Sequence, residues 1–176
     1  MIIGNFIKGI ELNYKNQYFS GLCFDSSKCK KDNIFFSIKG TKINGNKFIN
    51  HAIQKGAKII ISNRKFEGIK KNILFIKSSN VRKSLSEFAY RVYKDKPKNI
   101  IAVTGTNGKS SVADFYFQIL KLNKKKVASI GTLGIKTQNH TRKVLNTTID
   151  PITLSIALSK LKKEGINNVI LEASSH

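Results

Sequence analysis

The 176-residue sequence has only two cysteines, and it lacks both a long apolar run and a recognisable signal segment. Cys23 and Cys29 do not have the CxxC spacing of zinc or redox sites. We therefore expect two free thiols in a reducing cytosol. No run approaches the roughly 20 apolar residues of a membrane span, and residues 1–4 lack the basic region that precedes the apolar part of a signal peptide. These absences predict a cytoplasmic chain with no membrane partner.

Acidic residues are also scarce, because 10 Asp and Glu face 32 Lys and Arg, which gives a formal net charge of +22. Such a balance favours attraction to nucleic acids and acidic surfaces. The positive charge is mostly lysine scattered among isoleucine and asparagine, a pattern that AT-rich codons also produce. No basic helix carries regularly spaced arginine and aromatic residues. We therefore predict salt-sensitive, non-specific adhesion and no specific nucleic-acid partner.

The first part of the chain, residues 1–96, has the pattern of a small α/β unit. Apolar runs predict strands at residues 35–38, 58–62 and 72–76, and helical spacing predicts helices at residues 48–53 and 80–93. Pro97 opposes continuation of the second helix. We place a domain boundary between residues 96 and 99.

The second part, residues 99–176, alternates strands and helices, which predicts a parallel sheet with right-handed crossovers. Apolar runs predict buried strands at residues 99–103, 126–130 and 168–171, and Asp150-Pro151 opens a helix as cap and first turn. A further helix is predicted by one apolar face, formed by Val112, Phe115, Tyr116, Ile119 and Leu120. This part is small for a doubly wound sheet, so we expect a truncated domain.

A glycine-rich turn lies between the first strand and the first helix of this second part, and its residues are Gly105, Thr106, Asn107, Gly108, Lys109, Ser110 and Ser111. Free backbone N–H groups and the helix dipole favour a phosphate at such a turn. Lys109 would act on the terminal phosphates of ATP, and the Ser110 hydroxyl would coordinate Mg²⁺. The alternative is a loop that merely turns the chain.

Two further polar segments suggest functional roles. Glu172 ends an apolar strand, where a carboxylate can face the Mg²⁺ ion near the phosphates. The alternative is that Glu172 is an ordinary polar residue at the end of a strand, without a role in metal binding. Asn146, Thr147 and Thr148 precede the Asp150 helix start, where amides and hydroxyls could bind phosphate or carboxylate. For Asp150 itself, a helix cap is the better interpretation.

Together these motifs resemble the Mur ligases, and they are most similar to the MurE, tripeptide-forming type. The residues that carry the resemblance are Phe24-Asp25-Ser26, Gly40, Asn44-Gly45, Gly105 to Ser111, Asn146-Thr147-Thr148 and Glu172-Ala173-Ser174-Ser175-His176. The ATP loop alone would also fit folylpolyglutamate synthetase. The Asn-Thr-Thr and Glu-x-Ser-Ser-His segments favour the MurE type over the MurF type.

The resemblance implies a small UDP-binding α/β domain followed by a truncated P-loop, parallel-sheet ATP-binding domain. Residues implied to bind the UDP-N-acetylmuramoyl-peptide substrate are Phe24, Ser26, Thr41, Lys42, Ile43, Asn146, Thr147, Thr148 and Ser174. Mg²⁺ would lie near Ser110 and Glu172. ATP would phosphorylate the terminal carboxylate of the peptide, and the amine of an amino acid would attack the acyl phosphate, in peptidoglycan precursor synthesis.

Two departures from the family pattern bear on function. Ser27 stands where the family usually has an arginine. The guanidinium group that could bind the diphosphate of the substrate through two hydrogen bonds is therefore absent at this position. The family's third domain, which selects the incoming amino acid, has no counterpart in these residues, so the chain alone is predicted to be inactive unless a separate chain supplies it. The alternatives are a UDP-sugar-binding remnant without catalysis and a MurF-type fragment. A basic nucleic-acid binder ranks last.

Overall fold

The structure, a computed structural model, describes residues 1–7, 9–40, 43–142 and 149–173. The chain divides into two compact units, Met1–Val92 and Tyr93–His176, and this division falls a few residues before the boundary expected next to Pro97. Each unit has its own five-stranded, mainly parallel sheet accompanied by helices, which confirms the predicted α/β class. Within the described ranges, no helix is both long enough and apolar enough to cross a bilayer.

The first unit contains strands β1 (Gly21–Cys23), β2 (Asn33–Phe36), β3 (Ile59–Ser62), β4 (Gly68–Lys70) and β5 (Ile73–Lys77), with helices α1 (Ile49–Gln54) and α2 (Val81–Val92). The strand order is β1-β2-β3-β5-β4, and only β4 runs antiparallel to its neighbour. The predicted strands and helices are present, although β2 lies slightly upstream of residues 35–38. The sequence patterns did not indicate the short strands β1 and β4.

The core of the first unit lies around the central strands, since every residue of β2 and β3 is buried. Parallel strands covered on both faces are near-continuous apolar runs for this reason. The buried residues of α2 are Val81, Leu85, Phe88 and Ala89, which share one side of the helix. The ring of Phe88 lies 5.4 Å from that of Phe36 in β2, so aromatic packing fixes α2 against the sheet.

The two cysteines of the first unit form a disulfide, Cys23–Cys29, so the expectation of free thiols is wrong. Cys23 ends β1, and a short 3₁₀ turn, Ser26–Lys28, folds the chain back before Cys29. The two Cα atoms are thereby brought within 5.6 Å, a separation that a disulfide can span. Spacing in the sequence could not reveal the pairing, because the turn between the cysteines decides it.

The second unit contains β6 (Asn99–Val103), α3 (Lys109–Leu122), β7 (Val127–Gly131), β8 (Gly134–Lys136), β9 (Thr141–Arg142), α4 (Pro151–Lys163) and β10 (Asn168–Glu172). The strand order is β6-β10-β7-β8-β9, and the first three of these are mutually parallel. Asp150 caps α4 as predicted, since its Oδ1 accepts from the backbone N–H groups of Ile152 and Thr153, each at 3.0 Å. Leu158 and Leu161 of α4 pack on Ala128, Ile130 and Val169 of the sheet.

The prediction of a buried strand at residues 99–103 is wrong, whereas the helix predicted after the glycine-rich turn is present as α3. The predicted buried strand, β6, lies at the sheet edge, and its Ile100 and Ile101 are 39% and 42% exposed. On α3 the buried side chains are Ala113 and Phe117, whereas the predicted face exposes Val112, Phe115 and Ile119. The helix is apolar around much of its circumference, so periodicity alone could not tell which side meets the sheet.

Candidate functional site

The glycine-rich loop follows β6 and leads directly into α3, as predicted. Gly108 is the N-cap of α3 with φ 77° and ψ −4°, a left-handed conformation that side chains with a Cβ disfavour. A Cβ at Gly108 would meet nothing within 4 Å, so its backbone angles, and not lack of space, call for glycine. The cap has no side chain that could accept from the first N–H groups of α3, and these groups remain available to an anion.

Lys109 folds back over the same loop. Its Nζ donates to the carbonyl oxygen of Gly105 at 2.5 Å and to that of Thr106 at 3.3 Å. The ammonium therefore lies above the turn whose N–H groups would hold a phosphate. Phosphate oxygens are stronger acceptors for this charge than backbone carbonyls are, so an anion bound at the loop could take over these hydrogen bonds.

Glu172 lies beside the loop, although it is far from it in sequence. Strand β10 pairs with β6 so that Glu172 is opposite Val103, which puts the end of β10 next to the start of the loop. The Ser110 hydroxyl donates to Glu172 Oε2 at 2.8 Å. The predicted metal pair, Ser110 and Glu172, is therefore brought together by the fold.

A hydroxyl and a carboxylate are hard oxygen donors that suit Mg²⁺, which usually takes only one or two protein ligands and fills its other positions with water and phosphate oxygens. Their convergence at 2.8 Å fits a magnesium site beside a phosphate loop. In the part of the chain that the structure describes, no cluster of three or more His, Cys, Asp or Glu residues could hold a metal.

Gly131, the last residue of β7, is a residue of this site that sequence reasoning missed. A Cβ at this position would lie 2.2 Å from Glu172 Oε1 and 2.5 Å from its carboxyl carbon. The Glu172 side chain therefore lies directly against the Gly131 backbone. The available signal was a glycine at the carboxyl end of a parallel strand, the edge where ligands bind in α/β sheets.

The predicted uridine residues of the first unit lie after adjacent parallel strands. Phe24 and Ser26 follow β1, and Ile43 lies in the loop after β2. Phe24 is 39% exposed and Ile43 is 53% exposed, whereas Ser26 is buried. The Ser26 hydroxyl lies 2.9 Å from Nδ1 of His51 in α1, a contact that the sequence did not indicate. Both loops therefore lie at one edge of the sheet.

Asp25, between the two predicted uridine contacts, is held within its own turn. Its Oδ1 accepts from the Ser27 hydroxyl at 2.7 Å and from the Ser27 backbone N–H at 3.0 Å. The hydroxyl hydrogen bond is the main reason why the pKa of the Asp25 carboxyl is below its usual value. Ser27, where the family resemblance predicts arginine, is thus used locally to shape the turn.

A cavity of about 560 Å³ lies at the same edge of the first sheet, after β3 and β5. Its walls include Ile61, Ser78, Ser84, Phe88 and Arg91. The predicted residues Phe24, Ser26 and Ile43 are not among its described lining residues. The Arg91 guanidinium donates to the Phe6 carbonyl at 2.8 Å, so this charge already has a structural partner.

The remaining predicted substrate residues lie outside the described residues. They are Thr41, Lys42, Asn146, Thr147, Thr148 and Ser174. The structure consequently brings together the loop, Lys109, Ser110 and Glu172 in the second unit, and the Phe24, Ser26 and Ile43 loops in the first.

Comparisons with known proteins agree with these features. The sequence profile of the Mur ligase family, catalytic domain, matches residues 18–97, and that of the Mur ligase middle domain matches residues 103–176. A UDP-N-acetylmuramoyl-L-alanyl-D-glutamate--2,6-diaminopimelate ligase of Rickettsia prowazekii is 38% identical over 168 residues, which cover 93% of this chain and 34% of the relative. The Zymomonas mobilis ligase of the same name is 38% identical over 170 residues, which cover 96% of this chain and 34% of that relative.

Solved structures extend the similarity to the fold. A UDP-N-acetylmuramoyl-L-alanyl-D-glutamate--2,6-diaminopimelate ligase structure superposes with a TM-score of 0.81 at 27% identity, covering 100% of this chain and 36% of that one. The MurF ligase of Thermotoga maritima in complex with ADP shares the fold, with a TM-score of 0.54 and 19% identity. The superposition covers 88% of this chain and 32% of the MurF chain.

The chain spans about a third of the length of these relatives. The two profiles together account for nearly all of its residues after position 17, and the glycine-rich loop, Lys109 and the Ser110–Glu172 pair occupy the part that matches the middle domain. On this agreement of sequence, fold and site, the chain belongs to the Mur ligase family.

Proposed function

We propose that this chain forms the UDP-sugar-binding and ATP-binding parts of an ATP-dependent ligase that adds an amino acid to UDP-N-acetylmuramoyl-dipeptide in peptidoglycan precursor synthesis. The observation that carries the proposal is the hydrogen bond of 2.8 Å between Ser110 and Glu172 beside the glycine-rich loop. This pair and the loop together have the chemistry needed for a magnesium-bound triphosphate. The relatives are UDP-N-acetylmuramoyl-L-alanyl-D-glutamate--2,6-diaminopimelate ligases, so we take the substrate from them, and the amino acid that they add is diaminopimelate.

In this proposal the N–H groups of the loop and of the first turn of α3 bind the phosphates. The residues concerned are Gly105, Thr106, Asn107, Gly108, Lys109, Ser110 and Ser111. The Lys109 ammonium turns from its carbonyl partners to the terminal phosphates and offsets the charge that develops there. Ser110 and Glu172 would hold Mg²⁺, which would offset the negative charge of the phosphates during transfer.

The proposed reaction joins a carboxylate to an amine at the expense of ATP. A carboxylate oxygen of the dipeptide attacks the terminal phosphorus, the bond from that phosphorus to ADP breaks, and an acyl phosphate forms. The amine of the amino acid then attacks the acyl carbon and loses a proton, and inorganic phosphate leaves. Asn146, Thr147, Thr148 and Ser174 are proposed to hold the muramoyl-peptide, and the amino-acid site is proposed to lie in the part of the ligase that this chain does not span.

For the UDP end of the substrate we assign the loops after β1 and β2. The exposed ring of Phe24 offers a surface on which a uracil base can stack. Ser26 offers a hydroxyl that His51 orients, and Thr41, Lys42 and Ile43 complete the neighbouring loop. The cavity lined by Ser78 and Arg91 at the same sheet edge offers additional room for a bulky ligand.

A binding experiment tests the ATP half of the proposal. The 176-residue chain is titrated with a fluorescent, non-hydrolysable ATP analogue with and without Mg²⁺. We expect Lys109→Ala to weaken binding by about tenfold or more, because a charge-assisted hydrogen bond contributes about 1.5–3 kcal/mol. Lys121→Ala, at the other end of α3, is the matched control and should bind like the parent chain. Equal binding by both variants would refute the assigned role of Lys109.

A second candidate function is UDP-sugar binding without catalysis, favoured by the complete sheet of the first unit and its paired loops. Calorimetric titration with UDP-N-acetylmuramoyl-dipeptide should give saturable heat that Phe24→Ala reduces. Leu12→Ala, which removes another exposed apolar side chain, should leave the heat unchanged. Saturable heat combined with no detectable nucleotide binding would favour this second function over the ligase, and the absence of heat would exclude it.

A further inference from the structure

The disulfide Cys23–Cys29 encloses the segment that the proposed function assigns to the UDP end of the substrate. The residues between the two cysteines, 24–28, include Phe24 and Ser26, and we call this segment the disulfide loop. Cys23 is the last residue of β1, so the loop begins at the carboxyl edge of the parallel strands, where ligands bind in α/β sheets. One covalent bond therefore joins the two ends of a candidate ligand-binding segment.

Apart from the disulfide, the loop has few connections to the rest of the first unit. Its hydrogen bonds are mostly internal, since Asp25 Oδ1 accepts from Ser27 and the Asp25 carbonyl accepts from the Lys28 N–H at 3.0 Å. Among the described hydrogen bonds of the loop, only the contact of 2.9 Å between the Ser26 hydroxyl and His51 reaches another element. Much of the restraint on the loop therefore comes from the disulfide.

Both cysteines of the disulfide are buried, with 4% and 6% of their surface exposed. They belong to one apolar cluster with Ile49 and Ala52 of α1 and Phe35 of β2. A reductant reaches such sulfur atoms only when the loop opens. Once reduced, the two thiols can remain in the cluster, because cysteine behaves as a small apolar side chain. Reduction should therefore release the loop and leave the sheet and α1 in place.

We propose that Cys23–Cys29 is a redox modification site that reacts with dithiols and controls the order of the disulfide loop, and through it the affinity of the first unit for UDP. In the oxidised chain, the disulfide holds Phe24 and Ser26 in the arrangement described above. In the reduced chain the loop samples other conformations, and UDP must order it before binding. The choice of UDP as the ligand rests on the proposed function, whereas the control of loop order does not.

The reaction is a thiol–disulfide exchange with a dithiol as the reductant. A thiolate of the dithiol attacks one cysteine sulfur, the bond between Cys23 and Cys29 breaks, and a mixed disulfide forms while the other cysteine leaves as a thiolate. The second thiolate of the dithiol then attacks the mixed disulfide and closes a cyclic disulfide. Two electrons pass from the dithiol to the protein, and the two dithiol protons end on the cysteine thiols.

Thermodynamic linkage gives the proposal a second consequence. If the oxidised chain binds UDP more tightly than the reduced chain by some factor, saturating UDP must shift the disulfide equilibrium toward the oxidised form by the same factor. A ligand bound on the loop also opposes the opening that exchange with a dithiol requires. Bound UDP should therefore both stabilise the disulfide and slow its reduction.

Hydrogen exchange tests the control of loop order without any ligand. The 176-residue chain is measured before and after treatment with dithiothreitol, which has no other target because Cys23 and Cys29 are the only cysteines. We expect the amides of Ser27 and Lys28 to exchange at least about tenfold faster after reduction, while those of β2 and β3 stay strongly protected. Unchanged exchange at Ser27 and Lys28, or unprotected amides throughout β2 and β3, overturns the proposal.

Calorimetric titration with UDP tests the effect on binding. We expect reduction to weaken binding at least about threefold, with about 30-fold as the limit set by the loop-closure entropy, and reoxidation to restore it. The double variant Cys23→Ala/Cys29→Ala should bind like the reduced chain and should not respond to dithiothreitol. Binding of the fluorescent ATP analogue, assigned to the second unit, is the internal control and should not change. Equal affinity of the oxidised and reduced chains for UDP overturns the proposal.

A redox titration tests the linkage. The chain is equilibrated with mixtures of dithiothreitol and its cyclic disulfide, with and without saturating UDP, and the oxidised and reduced forms are separated after acid quenching. We expect UDP to raise the ratio of oxidised to reduced chain by the factor found in calorimetry. The same ratio with and without UDP overturns the proposal.

Failure of the redox proposal and failure of the proposed function give different results. Equal UDP binding by the oxidised and reduced chains retains the UDP assignment and refutes redox control of binding. A loop that reduction releases, in a chain that binds no UDP in either state, retains the redox control of loop order and refutes the UDP assignment.

Discussion

Replacing Gly131 with alanine should displace the Glu172 carboxylate from Ser110 while leaving the second unit folded. The added Cβ would lie 2.2 Å from Glu172 Oε1 and 3.0 Å from its Cγ, distances at which the glutamate side chain must rotate away. Gly131 is not among the glycines with positive φ, so its backbone accepts alanine. The stability cost is therefore limited to the exposed Ser110–Glu172 hydrogen bond, about 1 kcal/mol.

The effect on magnesium-dependent nucleotide binding should be larger. A hydrogen bond or ligand contact that involves a charged group contributes about 1.5–3 kcal/mol, which corresponds to roughly a 10- to 100-fold loss of affinity. The assay compares the affinity for a fluorescent ATP analogue with Mg²⁺ to that without it. We expect Gly131→Ala to lower the first affinity and to leave the second nearly unchanged, because the loop N–H groups and Lys109 are not moved.

A double-mutant cycle identifies the route of the effect. Glu172→Gln keeps the shape of the side chain and removes its charge. If Gly131→Ala acts only by displacing Glu172, the double variant should bind no worse than Glu172→Gln alone. Full additivity of the two losses, or an unchanged magnesium dependence in Gly131→Ala, would show that the Gly131–Glu172 contact does not shape the site.

Two further predictions concern the first unit. Reduction of Cys23–Cys29, which closes a loop with a sequence separation of 6, should lower the free energy of unfolding in urea by about 2 kcal/mol on the chain-entropy estimate; identical midpoints with and without reductant would contradict it. Ser27→Ala should raise the depressed pKa of the Asp25 carboxyl toward its usual value, as measured by NMR titration. Because the folded-state pKa is depressed, the stabilisation from Asp25 is present above its unfolded pKa and lost as pH falls through the folded value, and Ser27→Ala should weaken this acid dependence.

Much of the site could be predicted from the sequence because its signals are local. Gly105, Gly108 and Lys109 lie between an apolar strand and a helix, and glycines and a lysine in that position are typical of a phosphate-binding loop. Asp150 followed by proline similarly predicted a capped helix start, which the structure contains. Gly131 escaped prediction because its role depends on a side chain from another strand, which no local pattern indicates.

The predictions about the burial of β6 and about the two cysteines were wrong for one reason. Each depends on which parts of the folded chain come into contact, and the local sequence pattern does not show these contacts. The apolar run of β6 resembles a central strand, yet Ile100 and Ile101 lie at an edge. The apolar residues of α3 suit two faces, and packing on β7 and β10 chose the one with Ala113 and Phe117. The disulfide depended on a turn that brings the Cα atoms of its two cysteines together.

The amino-acid sequence by itself determined the α/β class, the order of most helices and strands and the position of the glycine-rich loop between β6 and α3, because periodicity, caps and glycines act over a few neighbouring residues. The family resemblance predicted that Ser110 and Glu172 lie near each other, and the tertiary structure supplies the direct hydrogen bond between them across a sequence separation of 62. The tertiary structure alone decided that β6 is an edge strand and that Val112, Phe115 and Ile119 of α3 are exposed. The physical reason is that the order of strands in a sheet determines which distant residues become neighbours. The same local sequence pattern of strands and helices is compatible with several strand orders, so the sequence pattern alone does not fix that order.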